Sequence, residues 1–300
     1  MTGTPDMLPS TAFKPEVLKL FDKYVHGTID RRAFLNRCAR YTAGAAGAMA
    51  TLAALTPNFA RAQQVKPDDA RLLASHVEIP SPKGYGAIKA YIVRPSGADR
   101  KLPVVLVIHE NRGLNPHIED IARRLALENV IAVAPDALTP LGGYPGDEDK
   151  ARAAFGQLDQ QKTREDFMAA ADYAQLLPEG NGNLGVVGFC YGGGVANMLA
   201  TRLPTLKAAV PFYGAPPPLD GVPHIKAEML LHFAGNDARV NAGWPAYEAA
   251  LKAAHIHYEA FIYDGAEHGF NNDTTPRFNP DAAKLAWRRT LTLFNRTLRT

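Results

Sequence analysis

The chain of 300 residues has only two cysteines, two tryptophans and almost no excess of charge, its 33 lysines and arginines facing 30 aspartates and glutamates. So small an imbalance leaves no room for the clustered basic face that nucleic acid requires, and no such partner is expected. No internal repeat, heptad series or low-complexity tract is present, which excludes solenoids and coiled coils. Nor is there a long, strongly apolar run. Residues 41–55 are dominated by alanine and glycine and fall short of the roughly 20 apolar residues a membrane span needs. What remains is 46% hydrophobic content in a length sufficient for one large core, and a single folded domain over residues 75–300 is expected.

Much of the basic excess sits in residues 1–62. There Asp30-Arg31-Arg32-Ala33-Phe34-Leu35 precedes the weakly apolar stretch, and Ala60-Arg61-Ala62 offers a small-residue cleavage site. Charged, apolar and small-residue regions in that order describe an export signal, and the paired arginines point to the twin-arginine machinery. The expectation is a periplasmic or secreted protein cut after Ala62, with residues 63–74 as a linker and no stable membrane span once the signal is gone. The leader is unusually long, and its residues 15–25 have the pattern of a short amphipathic helix. Cleavage would remove Cys38 and leave Cys190 as the single thiol, so no intramolecular disulfide is expected.

Beyond the linker, strand-like and helix-like segments alternate. Strands are expected over residues 73–79, 87–94, 103–108, 130–134, 184–187, 208–213, 229–234 and 258–263, with helices over 118–128, 163–177, 244–254 and 281–298. The run Val104-Val105-Leu106-Val107-Ile108 suits a strand buried on both faces. Alternation of this kind predicts the α/β class: a mostly parallel sheet, helices on both faces, and active loops at the carboxyl ends of the strands.

The most informative segment is Gly188-Phe189-Cys190-Tyr191-Gly192-Gly193-Gly194. It reads as strand, sharp turn and helix, with a nucleophile displayed at the turn and glycines where Cβ atoms would collide. Serine is the usual occupant, so a thiol here calls for partners that make it a thiolate. Asp237 and His268 each follow a later strand, and the order nucleophile, acid, histidine is that of the α/β-hydrolases. His268 is expected as the base and Asp237 as its orienting carboxylate. The backbone N–H groups of Tyr191 and Asn111 are expected to receive an oxyanion.

Together with the elbow, His109-Glu110-Asn111-Arg112-Gly113, Asn236-Asp237 and Glu267-His268-Gly269-Phe270 make the chain resemble the dienelactone hydrolases, or carboxymethylenebutenolidases. The resemblance covers most of residues 75–298. It implies a Cys190-Asp237-His268 triad, with Glu110 as an extra carboxylate that interacts with the thiol, and a small ester or lactone as substrate. One departure bears on specificity: the family arginine four residues after the histidine is here Asn272. Arg112, Arg152 or Arg277 would then have to hold a substrate carboxylate, and Tyr144 and Phe270 are candidates for the pocket wall. No metal or organic cofactor is expected, because the remaining histidines show no ligand spacing. The rival readings are a periplasmic thiol redox sensor or peroxide scavenger, disfavoured by the lack of a resolving cysteine, and a catalytically silent binding module.

Overall fold

The computed structural model describes residues 8–299. In chain order its strands are β1 (Leu72–Ser81), β2 (Gly86–Pro95), β3 (Leu102–Ile108), β4 (Ile131–Asp136), β5 (Gly180–Phe189), β6 (Ala208–Phe212), β7 (Glu228–Ala234) and β8 (Tyr258–Tyr263). They form one eight-stranded sheet in the order β1-β2-β4-β3-β5-β6-β7-β8. The β1–β2 hairpin and the β2–β4 pair are antiparallel, and every pairing from β4 through β3 to β8 is parallel. The helices are α1 (Pro15–Val25), α2 (Arg31–Cys38), α3 (Gly44–Leu55), α4 (Phe59–Ala62), α5 (Pro116–Ala126), α6 (Glu148–Phe155), α7 (Gln160–Gln175), α8 (Tyr191–Arg202), α9 (Ala238–Asn241), α10 (Trp244–Ala253) and α11 (Pro280–Leu298).

Strand β3 shows how the sequence pattern produces the layers. Side chains alternate across a pleated strand, so Val104, Leu106 and Ile108 enter one core with Phe167, Ala170 and Ala174 of α7. Val105 and Val107 enter the other, with Ile118, Ile121 and Leu125 of α5 and Phe294 and Leu298 of α11. A strand buried on both sides must be apolar at every position, and all seven residues of β3 are buried. The expected elements of the body are all present within a few residues. Helix α6 was not foreseen from the sequence, its eight residues being strongly charged with only Ala151 and Phe155 buried.

The N-terminal segment builds a third, smaller core. Val17, Leu18, Phe21 and Tyr24 line one face of α1 at helical spacing and pack with Phe34, Cys38, Leu52 and Leu55 from α2 and α3. The expected amphipathic helix over 15–25 is thus α1. The arginine pair opens α2, where Asp30 caps the helix by accepting from the Ala33 N–H at 2.7 Å. Residues that follow are tied to the body: Asn58 N–H donates to Thr274 O at 2.9 Å, and the Gln64 and Val65 N–H groups donate to the two carboxylate oxygens of Asp120. Among the described residues no helix is long and apolar enough to cross a membrane.

The elbow between β5 and α8 depends on missing side chains. A Cβ on Gly188 would stand 1.9 Å from the carbonyl oxygen of Gly192, whereas one on Gly194 would meet nothing nearer than 3.7 Å. Gly188→Ala is therefore expected to yield insoluble or unfolded protein and Gly194→Ala a folded one, compared by soluble yield and far-ultraviolet circular dichroism. Equal behaviour of the two would contradict this account of the turn.

Candidate active site

Cys190 sits where β5 ends and α8 begins, with φ 55° and ψ −112°. A residue with a Cβ pays roughly 1–3 kcal/mol for such a conformation, and the surroundings must enforce it. They do so through the close strand–helix approach at Gly188 and Gly192 and a hydrogen bond from Cys190 N–H to Phe212 O at 3.0 Å. The thiol is thereby presented at the amino end of a 12-residue helix, where the dipole favours an anion. Tyr191 is the first residue of that helix, so its N–H has no acceptor within the helix and is available to an oxyanion.

The two partners come from the next strand ends. Asp237 follows β7 and caps α9, one carboxylate oxygen accepting from the Val240 N–H at 3.2 Å. Its other oxygen lies 2.5 Å from Nδ1 of His268, which follows β8. Nδ1 therefore carries a proton, and Nε2 is the free nitrogen. That Nε2 is buried and has no hydrogen-bond partner, so it is the nitrogen left to exchange a proton with a substrate.

A third group reaches the sulfur that the sequence reading did not foresee. His26, just past the end of α1, places Nε2 3.5 Å from Cys190 Sγ. Its Nδ1 lies 2.7 Å from the carbonyl oxygen of Asp22 and 3.2 Å from an Asp22 carboxylate oxygen. A protonated Nδ1 donates to the carbonyl oxygen, and the carboxylate stands beside it as an ion-pair neighbour. Each histidine at the sulfur thus has an aspartate carboxylate beside its Nδ1, hydrogen-bonded in Asp237 and ion-paired in Asp22, and the two imidazoles stand edge to face with centroids 4.8 Å apart. The one available signal was the amphipathic pattern of α1 with a histidine at its end.

These contacts set the ionisation of the thiol. Burial opposes the thiolate, but His268 and His26 outweigh it and bring the Cys190 pKa down to about 5. Burial likewise opposes charging of His26, yet the thiolate and Asp22 prevail and raise its pKa to about 10. His268 is raised in the same way by the thiolate and Asp237. The sulfur and one nitrogen of each histidine lie within 4.8 Å of one another, a ligand set with the composition of a zinc site. Arg239 Nη2 stands 3.1 Å from His26 Nε2, which sets a permanent cation beside that set and favours an ion pair over a bound metal.

The loop after β3 supplies the remaining expected residues. His109 is buried, its Nδ1 2.5 Å from Glu110 O and its Nε2 accepting from the Ala137 N–H, which fixes the loop on β4. Glu110 faces the same cavity as Cys190, and one of its carboxylate oxygens accepts from Asn272 Nδ2 at 3.0 Å. The residue that replaces the family arginine therefore holds the extra carboxylate. The hydrogen-bonding partner of the sulfur is His26. Asn111 follows Glu110, and its side chain donates to Val25 O at 2.9 Å.

The arginines divide sharply. Arg112 donates to Val25 O and to Asn111, and Arg152 donates to Tyr24 O and pairs with Asp149. Both are occupied with the last carbonyls of α1. Arg277 is buried, its Nε and Nη1 have no hydrogen-bond partner, and its nearest carboxylate oxygen, on Asp22, is 3.9 Å away. Tyr144 does join the cavity wall and donates its hydroxyl to Glu148 at 2.9 Å. Phe270 does not: it is fully buried and packs on Phe212, Tyr213 and Tyr263 beneath the site. Two cavities meet at Cys190, His26 and His268. One, of about 350 Å³, is roofed by α1 and contains Glu110, Arg112 and Arg277. The other, of about 720 Å³, is lined by Phe155, Val195, Met198 and Pro216.

A cysteine elbow on a mostly parallel sheet, followed in chain order by a buried aspartate and its histidine, defines a hydrolase of the α/β-hydrolase fold. Residues 88–298 match the model of the dienelactone hydrolase family, and residues 6–43 match a second family described as YqhI-like. A "Putative carboxymethylenebutenolidase" of Escherichia coli strain K12 is 33% identical over 243 residues, 76% of this chain and 88% of the relative. A "Putative hydrolase fragment YghX" from the same strain is 48% identical over 112 residues, 37% of this chain and 96% of the relative. The crystal structure of a putative dienelactone hydrolase from Klebsiella pneumoniae superposes with a TM-score of 0.67 at 30% identity, covering 75% of this chain and 98% of that one. The chain belongs to the dienelactone hydrolase family.

Because alkylation requires the thiolate, its rate at Cys190 is expected to rise with pH to a half-maximum near the pKa of about 5 and to be flat at neutrality. An ordinary thiol would reach half-maximum near pH ~8.5. Peptide mapping after iodoacetamide separates Cys190 from the fully buried Cys38, and a midpoint above pH ~8 would contradict the ion-paired thiolate.

Proposed function

We propose that the protein hydrolyses a carboxylic ester or lactone through a thioester on Cys190. The observation that carries this reading is the convergence of Sγ, the unpartnered Nε2 of His268 and its Asp237 carboxylate beside a cavity of about 350 Å³. The thiolate attacks the substrate carbonyl carbon, and the oxygen that becomes negative is met by the Tyr191 and Asn111 N–H groups. Collapse breaks the carbon–oxygen bond, and His268, doubly protonated beside the resting thiolate, gives its Nε2 proton to the departing alkoxide. Water then attacks the thioester while His268 takes its proton. The second collapse releases the carboxylic acid and returns the thiolate.

A thiolate leaves the first tetrahedral intermediate more readily than an alkoxide does. Acylation therefore competes only when the alcohol is a good leaving group, which favours enol lactones and aryl esters over unactivated esters and peptides. A buried guanidinium with unmet donors costs free energy unless a ligand completes it. Arg277, whose free Nε and Nη1 belong to the cavity wall, is better suited to an acceptor or carboxylate on the substrate than Arg112, whose one unbonded donor, Nε, already faces Glu148 at 3.5 Å, or Arg152, which pairs with Asp149.

Cys190→Ala is expected to abolish turnover of an activated aryl ester, and unchanged turnover would overturn the proposal. Arg277→Gln is expected to raise KM for a carboxylate-bearing ester by about tenfold, the equivalent of ~1.4 kcal/mol, while moving KM for its neutral isostere little. Equal changes for both esters would refute this assignment.

A further inference from the structure

We infer that His26 is a catalytic residue of this hydrolase, delivered to the sulfur by the N-terminal helical segment and positioned there by Asp22. The inference rests on the hydrolytic reading above and adds to it a second imidazole with a separate task.

The geometry separates the work of the two histidines. His26 Nε2 is directed at Sγ at 3.5 Å, while His268 Nε2 has no hydrogen-bond partner. A single histidine would have to stabilise the resting thiolate and also protonate the leaving group with the same N–H. With His26 donating to the sulfur, the His268 proton is free for the alkoxide. When water attacks the thioester, His26 again faces the sulfur as it regains its charge and leaves. No proton is lost or gained by His26 over the cycle.

The segment is built to hold this position. The carbonyls of Tyr24 and Val25, exposed at the end of α1, are met by Arg152, Arg112 and Asn111, three residues of the hydrolase body. Arg277 adds a cation over the Phe21 ring, 5.2 Å from its centroid. Gly27, at φ 75°, turns the chain away directly after His26. These contacts join α1 to the site loops. Cleavage after Ala62 would remove all of them, so the inference requires that the working enzyme keep this segment.

Arg239 sets the competing arrangement. A guanidinium only donates, so a neutral His26 would accept from Arg239 Nη2 at 3.1 Å and give nothing to the sulfur. Asp22 beside Nδ1 and the thiolate beside Nε2 both favour the doubly protonated ring, and Arg239 is half exposed, so solvent weakens its opposition. The other charged groups facing the cluster are His268 and Asp237 after β8 and β7, Glu110 and Arg112 after β3, and Arg277.

The test uses the full-length chain with His26→Gln and, separately, Asp22→Asn. In His26→Gln the midpoint of Cys190 alkylation is expected to rise by at least about two pH units, the shift that leaves about a tenth of the thiolate at pH 6. The value of kcat/KM for an aryl ester should then fall about tenfold or more near pH 6 and recover near pH 9, where the thiolate forms unaided. Asp22→Asn should shift the midpoint the same way by less. A change in packing alone would lower activity at all pH values without moving the midpoint. Should His26→Gln fail to fold, Asp22→Asn carries the same readout. An unmoved midpoint in an active variant, a faster variant, or a fully active purified enzyme whose intact mass begins at Gln63 would overturn the role of His26. Cys190→Ala tests the hydrolytic reading independently of these outcomes.

Discussion

A thiolate drawn out of bulk water persists only opposite positive charge, and the active site is arranged around that requirement. Cys190 is displayed on a strained turn, at a helix amino end, between two imidazoles that are each backed by an aspartate. Remove the charges and burial alone would return the sulfur to the inert thiol. The same cluster explains why His268 can remain unpartnered at Nε2: the charge it would otherwise neutralise by itself is shared.

The fold turns this local requirement into a geometry. Parallel strands β5, β7 and β8 all end at one edge of the sheet, so the residues that follow them meet although they lie up to 78 positions apart in the chain. Two apolar cores clamp the sheet from both faces, and the glycines of the elbow let β5 and α8 close to a distance that side chains would forbid. The N-terminal segment completes the enclosure. Its helix α1 roofs the smaller cavity and occupies Arg112 of the loop after β3 and Arg152 of α6.

The hydrolase body was largely legible in the sequence because its signals are local. Continuous β-branched runs mark strands buried on both faces, as in β3. Glycine spacing marks the elbow, and polar residues just beyond apolar runs mark Asp237 and His268. The charged helix α6 escaped notice because only two of its residues are buried. The roles of the arginines were not legible for a different reason: a guanidinium's partner is chosen by tertiary approach, and here the partners are backbone carbonyls of α1. His26 was hidden by a sound compositional argument. Paired arginines and an alanine-rich stretch describe an export leader, yet the same residues form α2 and α3, whose apolar faces support the helix that carries His26. Phe270, placed beside His268 in sequence, proved to be core because its ring is directed into the aromatic layer beneath the site.

Covalent catalysis by Cys190 is the claim on which the rest of the account stands, and rapid-quench mass spectrometry of the full-length enzyme mixed with an aryl ester tests it most directly. The account predicts a transient gain of one acyl group on the peptide containing Cys190, formed before steady turnover and lost as the acid product appears. Steady ester hydrolysis with no acyl group on that peptide at any time would contradict it.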